Sequence, residues 1–478
     1  MDSQIKRRTF ISTFSLFFQS GYAAVLGLVA NLIVTILLSP AIFGIYITVL
    51  SIIAFLNYFS DIGLAASLIQ KKDLKDEDVS TTFTIQQLLI VTMVIIGFLL
   101  TPTITNFYRL PSEGTYLYWS LLVGFFISSL KTIPSVFLER QIKFQKLVFV
   151  QVVENTVFYA AVSIFALIGW GLHSFTVAVL MRAIVGLVLI YSISFWKPRI
   201  GISIPHLKAL LKFGVPFQAS SFLALFKDDL IILYLGRVLG FEALGYIGWA
   251  KKWADAPIRI IMDNISRVLF PLVARFQDDK EKLRSISERI LSYQTSLIAP
   301  VIVGMMATIP LFIQVIPRYN KWEPALSIFY ILSLSTLILS VSAPFMNLFN
   351  ALGKVKITFS FMVLLTTVNW IATPILTQVY GVYGFAFAHL MVSISLGFIL
   401  LKAKRLIGIR VADCVFQPII SASCMGLVLL FLQKYLSTSY LSIAILVGVG
   451  AVVYYILMRY VFKSDVVAHL LSLYEKKT

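Results

Sequence analysis

Long runs of residues without Asp, Glu, Lys or Arg dominate this chain. They cover 10–60, 80–108, 114–130, 155–181 and 183–196, then 290–317, 324–353, 357–401, 415–433 and 435–458. A charge at the bilayer centre costs about 2.5–3.5 kcal/mol on insertion scales, so such runs mark membrane spans. A spanning helix takes about 20 apolar residues, and the runs 10–60 and 357–401 must therefore hold two each. Leu38-Ser39-Pro40 and Tyr380-Gly381-Val382-Tyr383-Gly384 supply the turn residues between the members of each pair. Two more helices, near residues 223 and 255, carry charges of their own. The pattern predicts an all-α integral membrane protein of about 14 transmembrane helices. Lys6-Arg7-Arg8 ahead of an apolar run is a feature of signal peptides, but this run is too long and has no clear small-residue cleavage site. It is read as an uncleaved first helix.

Charge orients the spans. The 478 residues include 40 Lys and Arg against 22 Asp and Glu, a formal net charge of +18. Under a 14-span reading, one face receives only Arg109, Arg237, Arg318, Lys321 and Lys434, while most of the other basic residues fall on the face of the N-terminus. Cytoplasmic loops hold the Lys and Arg excess, which predicts that both termini are cytoplasmic. The basic balance is thus a topology signal, and no nucleic-acid partner is expected. A hydrophobic fraction of 59%, a charged fraction of 13% and a mean hydropathy of +0.90 exclude a soluble enzyme.

Other chemistries lack their residues. The loops are too short for a nucleotide-binding domain, and neither GxxxxGK[ST] nor GxGxxG occurs. Cys414 and Cys424 are too few for a zinc or iron–sulfur cluster. His173, His206, His389 and His469 are scattered without HExxH spacing. No metal, no cofactor and no catalytic residue are expected.

Sliding the sequence by 201 positions aligns Leu38-Ser39-Pro40-Ala41-Ile42-Phe43-Gly44-Ile45-Tyr46 with Leu239-Gly240-Phe241-Glu242-Ala243-Leu244-Gly245-Tyr246-Ile247. Six helices separate the copies, and an even number keeps them in one orientation. This predicts two lobes related by an axis along the membrane normal, with residues 1–200 as the first lobe, 201–405 as the second and 406–478 as two further helices and a tail.

Helices cannot present charges to lipid, so polar residues inside spans must face a cavity or a partner. They are Asp61, Lys131, Glu154, Arg182, Lys227, Asp228, Asp229 and a series on the eighth helix: Lys251, Asp255, Arg259, Asp263 and Arg267. Opposite charges there alternate every fourth residue and would face each other along a helix. Pro257 is expected to kink it. Two readings stand for this stripe, a wall of a water-filled substrate path or a solvated face whose charges neutralise one another. Arg182 is alone in the sixth span, with no acidic residue within four positions. It must meet an anionic substrate or an interhelical carboxylate such as Asp61 or Glu154.

Several stretches carry a family resemblance. They are Phe43-Gly44-Ile45-Tyr46, the segment from Asp61-Ile62-Gly63 to Asp73-Leu74, Leu138-Glu139-Arg140-Gln141-Ile142-Lys143-Phe144, Phe213-Gly214-Val215-Pro216, Ile265 to Pro271, Lys321-Trp322-Glu323-Pro324 and Ala351-Leu352-Gly353-Lys354. In this order they resemble the polysaccharide and O-antigen repeat-unit flippases of the multidrug/oligosaccharidyl-lipid/polysaccharide exporter superfamily, particularly the branch serving colanic and teichuronic acid. The resemblance implies two six-helix lobes forming a V around a central cavity, two additional C-terminal helices, and alternating access across the bacterial cytoplasmic (inner) membrane.

The implied cargo is an oligosaccharide on a polyprenyl pyrophosphate. The implied partners are that lipid-linked glycan, membrane lipids, and a polysaccharide polymerase with its chain-length machinery. Lys131, Arg182, Lys227, Lys251, Lys252 and Arg259 are then the candidates for holding the pyrophosphate. Asp61, Asp228, Asp229, Asp255 and Asp263 are candidates for ion coupling or for ion pairing. This chain departs from the family at Ile247-Gly248-Trp249-Ala250-Lys251-Lys252, where the cation is displaced. Two other functions compete. A drug exporter of the same superfamily would favour acidic groups in its cavity. A membrane-embedded polymerase would need catalytic residues in a sizeable outer loop, and the loop around 102–115 offers only Arg109 and Glu113.

Overall fold

A computed structural model describes residues 21–262 and 279–462 apart from Ala24 and Asp61, together with Val273 and Phe276; for 216–217, 219–224 and 228 it describes the backbone alone. Every regular element among the described residues is helical. Among the described residues ten helices are long and apolar enough to cross a membrane, or eleven when one bent pair counts as a single span. The chain divides into two compact units, Met1–Gly245 and Tyr246–Thr478.

The first unit contains α1 (Gly21–Leu37), α2 (Pro40–Tyr58), α3 (Leu64–Gln70), α4 (Asp76–Leu99), α5 (Thr101–Tyr108), α6 (Ser112–Ser129), α7 (Thr132–Arg140), α8 (Phe144–Leu167), α9 (His173–Ile193) and α10 (Ile204–Val238). The break between α1 and α2 falls at the turn the sequence marks. Ser39 caps α2 by accepting from the Ile42 amide, and Pro40 fills the first helical turn, where no amide proton is needed. The helix α11 (Phe241–Pro257) begins in this unit and continues into the next. Gly44 and Gly245, the glycines aligned by the 201-residue offset, meet here. A Cβ on Gly44 would overlap the Phe241 carbonyl, and one on Gly245 the Pro40 carbonyl. Neither α1, with 17 residues, nor the charge-bearing α10 and α11 is among the ten apolar helices.

Three of the sequence stretches that carry the resemblance converge on α3. Gly63, with φ +76°, packs its backbone against Gly214 of α10, and a Cβ on either would collide with the other's main chain. Ser67 Oγ donates to the Leu210 carbonyl at 2.8 Å. The guanidinium of Arg140 then closes the other end of α3. Its Nη1 donates to the carbonyls of Leu68, Ile69 and Lys71, and its Nη2 to that of Lys72. A helix leaves its last carbonyls without intrahelical partners, and this fork satisfies them. The segment Ile265–Pro271 lies outside the described residues.

In the second unit α11 ends at Pro257 and passes into a π-helical turn, Ile258–Met262. Then come α12 (Lys280–Val315), α13 (Ala325–Ser342), α14 (Pro344–Ala351), α15 (Val355–Tyr380), α16 (Val382–Ile407), α17 (Val411–Gln433) and α18 (Tyr440–Ile456). Asp279 caps α12 through the Lys282 amide at 3.0 Å, and that hydrogen bond holds its carboxyl below the usual carboxylate range. Several packed clusters hold the unit, two of them built on aromatic side chains. Phe345, Phe349, Leu396 and Ile399 are buried in one. In the other, fully buried Trp249, Tyr319, Trp322 and Phe329 pack around a hydrogen bond from Trp249 Nε1 to the Tyr319 hydroxyl at 2.8 Å.

Candidate functional site

The site begins with a proline. Pro134 has no amide proton, so the Leu130 carbonyl four residues earlier receives no helical bond. The chain bends there by 42° between α6 and α7. The Tyr191 hydroxyl of α9 donates to the Leu130 carbonyl instead, at 3.3 Å. The bend places Lys131 between two helices rather than on the face of one, and its Nζ reaches Glu154 Oε1 of α8 at 2.5 Å. Both side chains are largely buried, 18% and 8% exposed.

Lys131 and Glu154 line a cavity of about 390 Å³ together with Arg182 of α9 and Tyr46 and Asn57 of α2. Arg182 Cζ sits 5.7 Å from the centre of the Phe158 ring. That ring stacks in turn with Tyr46. Among the described residues no carboxylate lies within 4 Å of Arg182, so Lys131 holds the carboxylate that the sequence offered to Arg182. Asp61, the other carboxylate considered for it, lies outside the described residues.

Ala54, Asn57, Phe125 and Ser128 are shared with a second cavity of about 600 Å³. Its polar lining among the described residues is mostly neutral: Asn57, Tyr58, Ser60, Gln86, Ser128, Ser129, Thr132 and Gln218, with Asp229 as the one carboxylate. Several of these groups fix one another. Gln218 Nε2 donates to the Tyr58 carbonyl at 2.9 Å while the Tyr58 hydroxyl donates to the Gln218 carbonyl at 2.8 Å, which ties α2 to α10. Gln86 Nε2 donates to Thr132 Oγ1 at 3.2 Å. The two compartments together offer cations on one side and amides and hydroxyls on the other, in the size range of small-molecule sites.

The second unit holds a separate charge cluster. Lys251 Nζ pairs with Asp255 Oδ2 at 3.0 Å, and Thr336 Oγ1 donates to Asp255 Oδ1 at 3.4 Å. Arg259 adds its positive charge to the field on that carboxylate and on Lys252. Among the described residues, one step of the four-residue charge ladder expected on the eighth helix, Lys251 to Asp255, forms an ion pair. The π-helical turn after Pro257 inserts extra residues per turn, so Arg259 makes no ion pair with Asp255 within 4 Å. Asp263 and Arg267 lie outside the described residues.

Of the other candidates, Lys227 is half-buried on α10, and the side chain of Asp228 lies outside the described residues. Sequence reasoning found Lys131, Arg182 and Asp229 but passed over Asn57, Gln86, Gln218 and the hydroxyls beside them. Their signal is weak, since a neutral amide or hydroxyl leaves an apolar run uninterrupted. Among the described residues no cluster of His, Cys, Asp and Glu is arranged to hold a metal ion.

Residues 33–327 match a family described as polysaccharide biosynthesis protein. The chain is 26% identical over 379 residues to the lipopolysaccharide biosynthesis protein WzxC of Escherichia coli (strain K12), covering 77% of this chain and 75% of that one. It is 23% identical over 325 residues to the succinoglycan biosynthesis transport protein ExoT of Rhizobium meliloti (strain 1021), covering 68% and 65%. The fold is shared with a solved structure of the lipid II flippase MurJ in an inward closed conformation. That likeness has a TM-score of 0.75 at 15% identity and spans 95% of this chain and 99% of that one.

Proposed function

Because this chain belongs to the polysaccharide biosynthesis protein family, we propose that it is a flippase for polyprenyl-pyrophosphate-linked oligosaccharide repeat units. It is a transporter, not an enzyme, and a multi-pass protein of the bacterial inner membrane. It carries its cargo from the cytoplasmic to the outer leaflet by alternating access, for cell-surface or exopolysaccharide synthesis. The observation that carries this reading is Arg182, a cation facing a cavity with no carboxylate within 4 Å among the described residues.

The chemistry fits the cargo. A glycan and a diphosphate cannot cross hydrocarbon without replacements for their water contacts. Arg182 and Lys131 match phosphate oxygens, Arg182 with a planar fork of donors. The amides and hydroxyls of the larger compartment can donate to and accept from sugar hydroxyls. In the second unit Lys251 and Asp255 engage each other, while Lys252 and Arg259 remain further anion-binding candidates. Among the described coupling candidates, Asp229 faces a cavity.

The same reading has 14 spans, with α1, α10 and α11 joining the apolar helices, and both termini in the cytoplasm. The lobes follow the repeat, 1–200 and 201–405, with 406–478 added. A polysaccharide polymerase and its chain-length machinery would take up the product.

The test is leaflet accessibility of a labelled polyprenyl-pyrophosphate oligosaccharide in proteoliposomes. Protein-dependent exposure of the glycan on the opposite face is expected. If the glycan stays in place while a cationic dye crosses, the chain is a drug exporter.

A further inference from the structure

Two helices carry the groups around Lys131 in matched pairs. On α8, Glu154 and Phe158 are four residues apart and share a face; on α9, Arg182 and Gly186 do the same. Phe158 lies under the Arg182 guanidinium. Glu154 lies against Gly186, where a Cβ would overlap its carboxylate. Gly186 is about one helical turn from Arg182 on α9, roughly 6 Å along the axis, and the carboxylate beside it has its Oε1 on Lys131. An anion that bridges Lys131 and Arg182 therefore competes with Glu154 for the Lys131 ammonium.

We propose that Glu154 is a built-in stand-in for the cargo's phosphate, which neutralises Lys131 in the empty site and exchanges with the incoming diphosphate. This rests on the flippase reading above. Lys131 can change partners without moving a helix, because its ammonium is a point charge on a flexible four-carbon stem and its backbone sits at the break between α6 and α7. The exchange serves release. A transport site must bind well enough to load and weakly enough to unload, and two unopposed cations in a partly buried site would hold a diphosphate through the cycle. Glu154 supplies the opposing charge, and Gly186 makes room for it beside the anion's place. A simple structural tie between α7 and α8 would need neither Gly186 at that point nor, one turn away, an arginine without a carboxylate among the described residues.

Binding of farnesyl diphosphate to the purified full chain, measured by calorimetry with farnesol as the uncharged control, separates the two roles. Breaking a structural tie from either end shifts affinity in the same direction. Exchange predicts opposite directions. E154Q binds farnesyl diphosphate about tenfold more tightly and K131Q about tenfold more weakly, with farnesol unchanged. In proteoliposomes E154Q then lowers both the half-saturating concentration of lipid-linked glycan and the maximal rate. E154D keeps the charge on a shorter arm, and its affinity falls between wild type and E154Q; it carries the test if E154Q does not fold. The proposal is overturned if E154Q and K131Q shift affinity together, or if E154Q (or E154D in its place) leaves it unchanged. A wild-type chain that binds farnesyl diphosphate but moves no glycan refutes the flippase reading instead, and the opposite shifts still decide the role of Glu154.

Discussion

Arg140 shows what a single side chain can hold in this molecule. It lies in a stretch that the sequence marks only by resemblance, and the structure gives that stretch a physical task. Four carbonyls around the end of α3 depend on one guanidinium. Lysine has the charge but not the fork, so R140K leaves some of those carbonyls unsatisfied. A loss of about 1–3 kcal/mol is expected, read as a lower unfolding temperature in detergent, with R140Q at least as unstable. No periodicity reveals such a role, because Arg140 is distant in sequence from the carbonyls it satisfies. Lys131 and Arg182 were legible for the opposite reason. A charge inside an apolar run is conspicuous whatever its partner. The partner itself was not legible, and Glu154 pairs with Lys131 beside the turn at Pro134.

That turn belongs to the scale of elements. Pro134 and Tyr191 act as one device: the first frees the Leu130 carbonyl, and the second occupies it. In P134A the amide gained at that position would bond the carbonyl and straighten the α6–α7 junction. Y191F should therefore cost about 0.5–1.5 kcal/mol in the wild type and close to nothing in P134A. A double-mutant cycle on unfolding free energy checks this, and the same straightening should weaken farnesyl diphosphate binding by moving Lys131. Helix positions followed from the apolar runs because length and charge exclusion suffice to set them. The helical register of the eighth span did not follow. A ladder drawn at four-residue spacing assumes an unbroken α-helix, and the π-helical turn after Pro257 ends that spacing at Arg259.

At the scale of the whole molecule, the fold class was the most legible property. Composition and the lengths of the uncharged runs restrict the chain to a helical membrane protein, and the described residues supply ten or eleven apolar helices long enough to span. The polar compartment was the least legible, since it is assembled from amides and hydroxyls of α2, α4, α6, α7 and α10 that are far apart in sequence. Topology can be tested directly. With both termini inside and 14 spans, a cysteine at Lys434 in a chain lacking Cys414 and Cys424 is labelled by a membrane-impermeant maleimide in intact cells. A cysteine at Lys354 is labelled only after the cells are opened. The reverse pattern would invert the proposed orientation.

Arg182, with no carboxylate within 4 Å among the described residues, is proposed to handle the diphosphate of a lipid-linked glycan. The most direct measurement is the initial rate of glycan transfer between leaflets in proteoliposomes containing the wild type, R182K or R182A at equal reconstitution. R182A is expected to fall at least about tenfold, the loss of about 1.4 kcal/mol of interaction. R182K should fall between the two, because it keeps the charge without the fork. An R182A rate equal to that of the wild type would contradict the proposal.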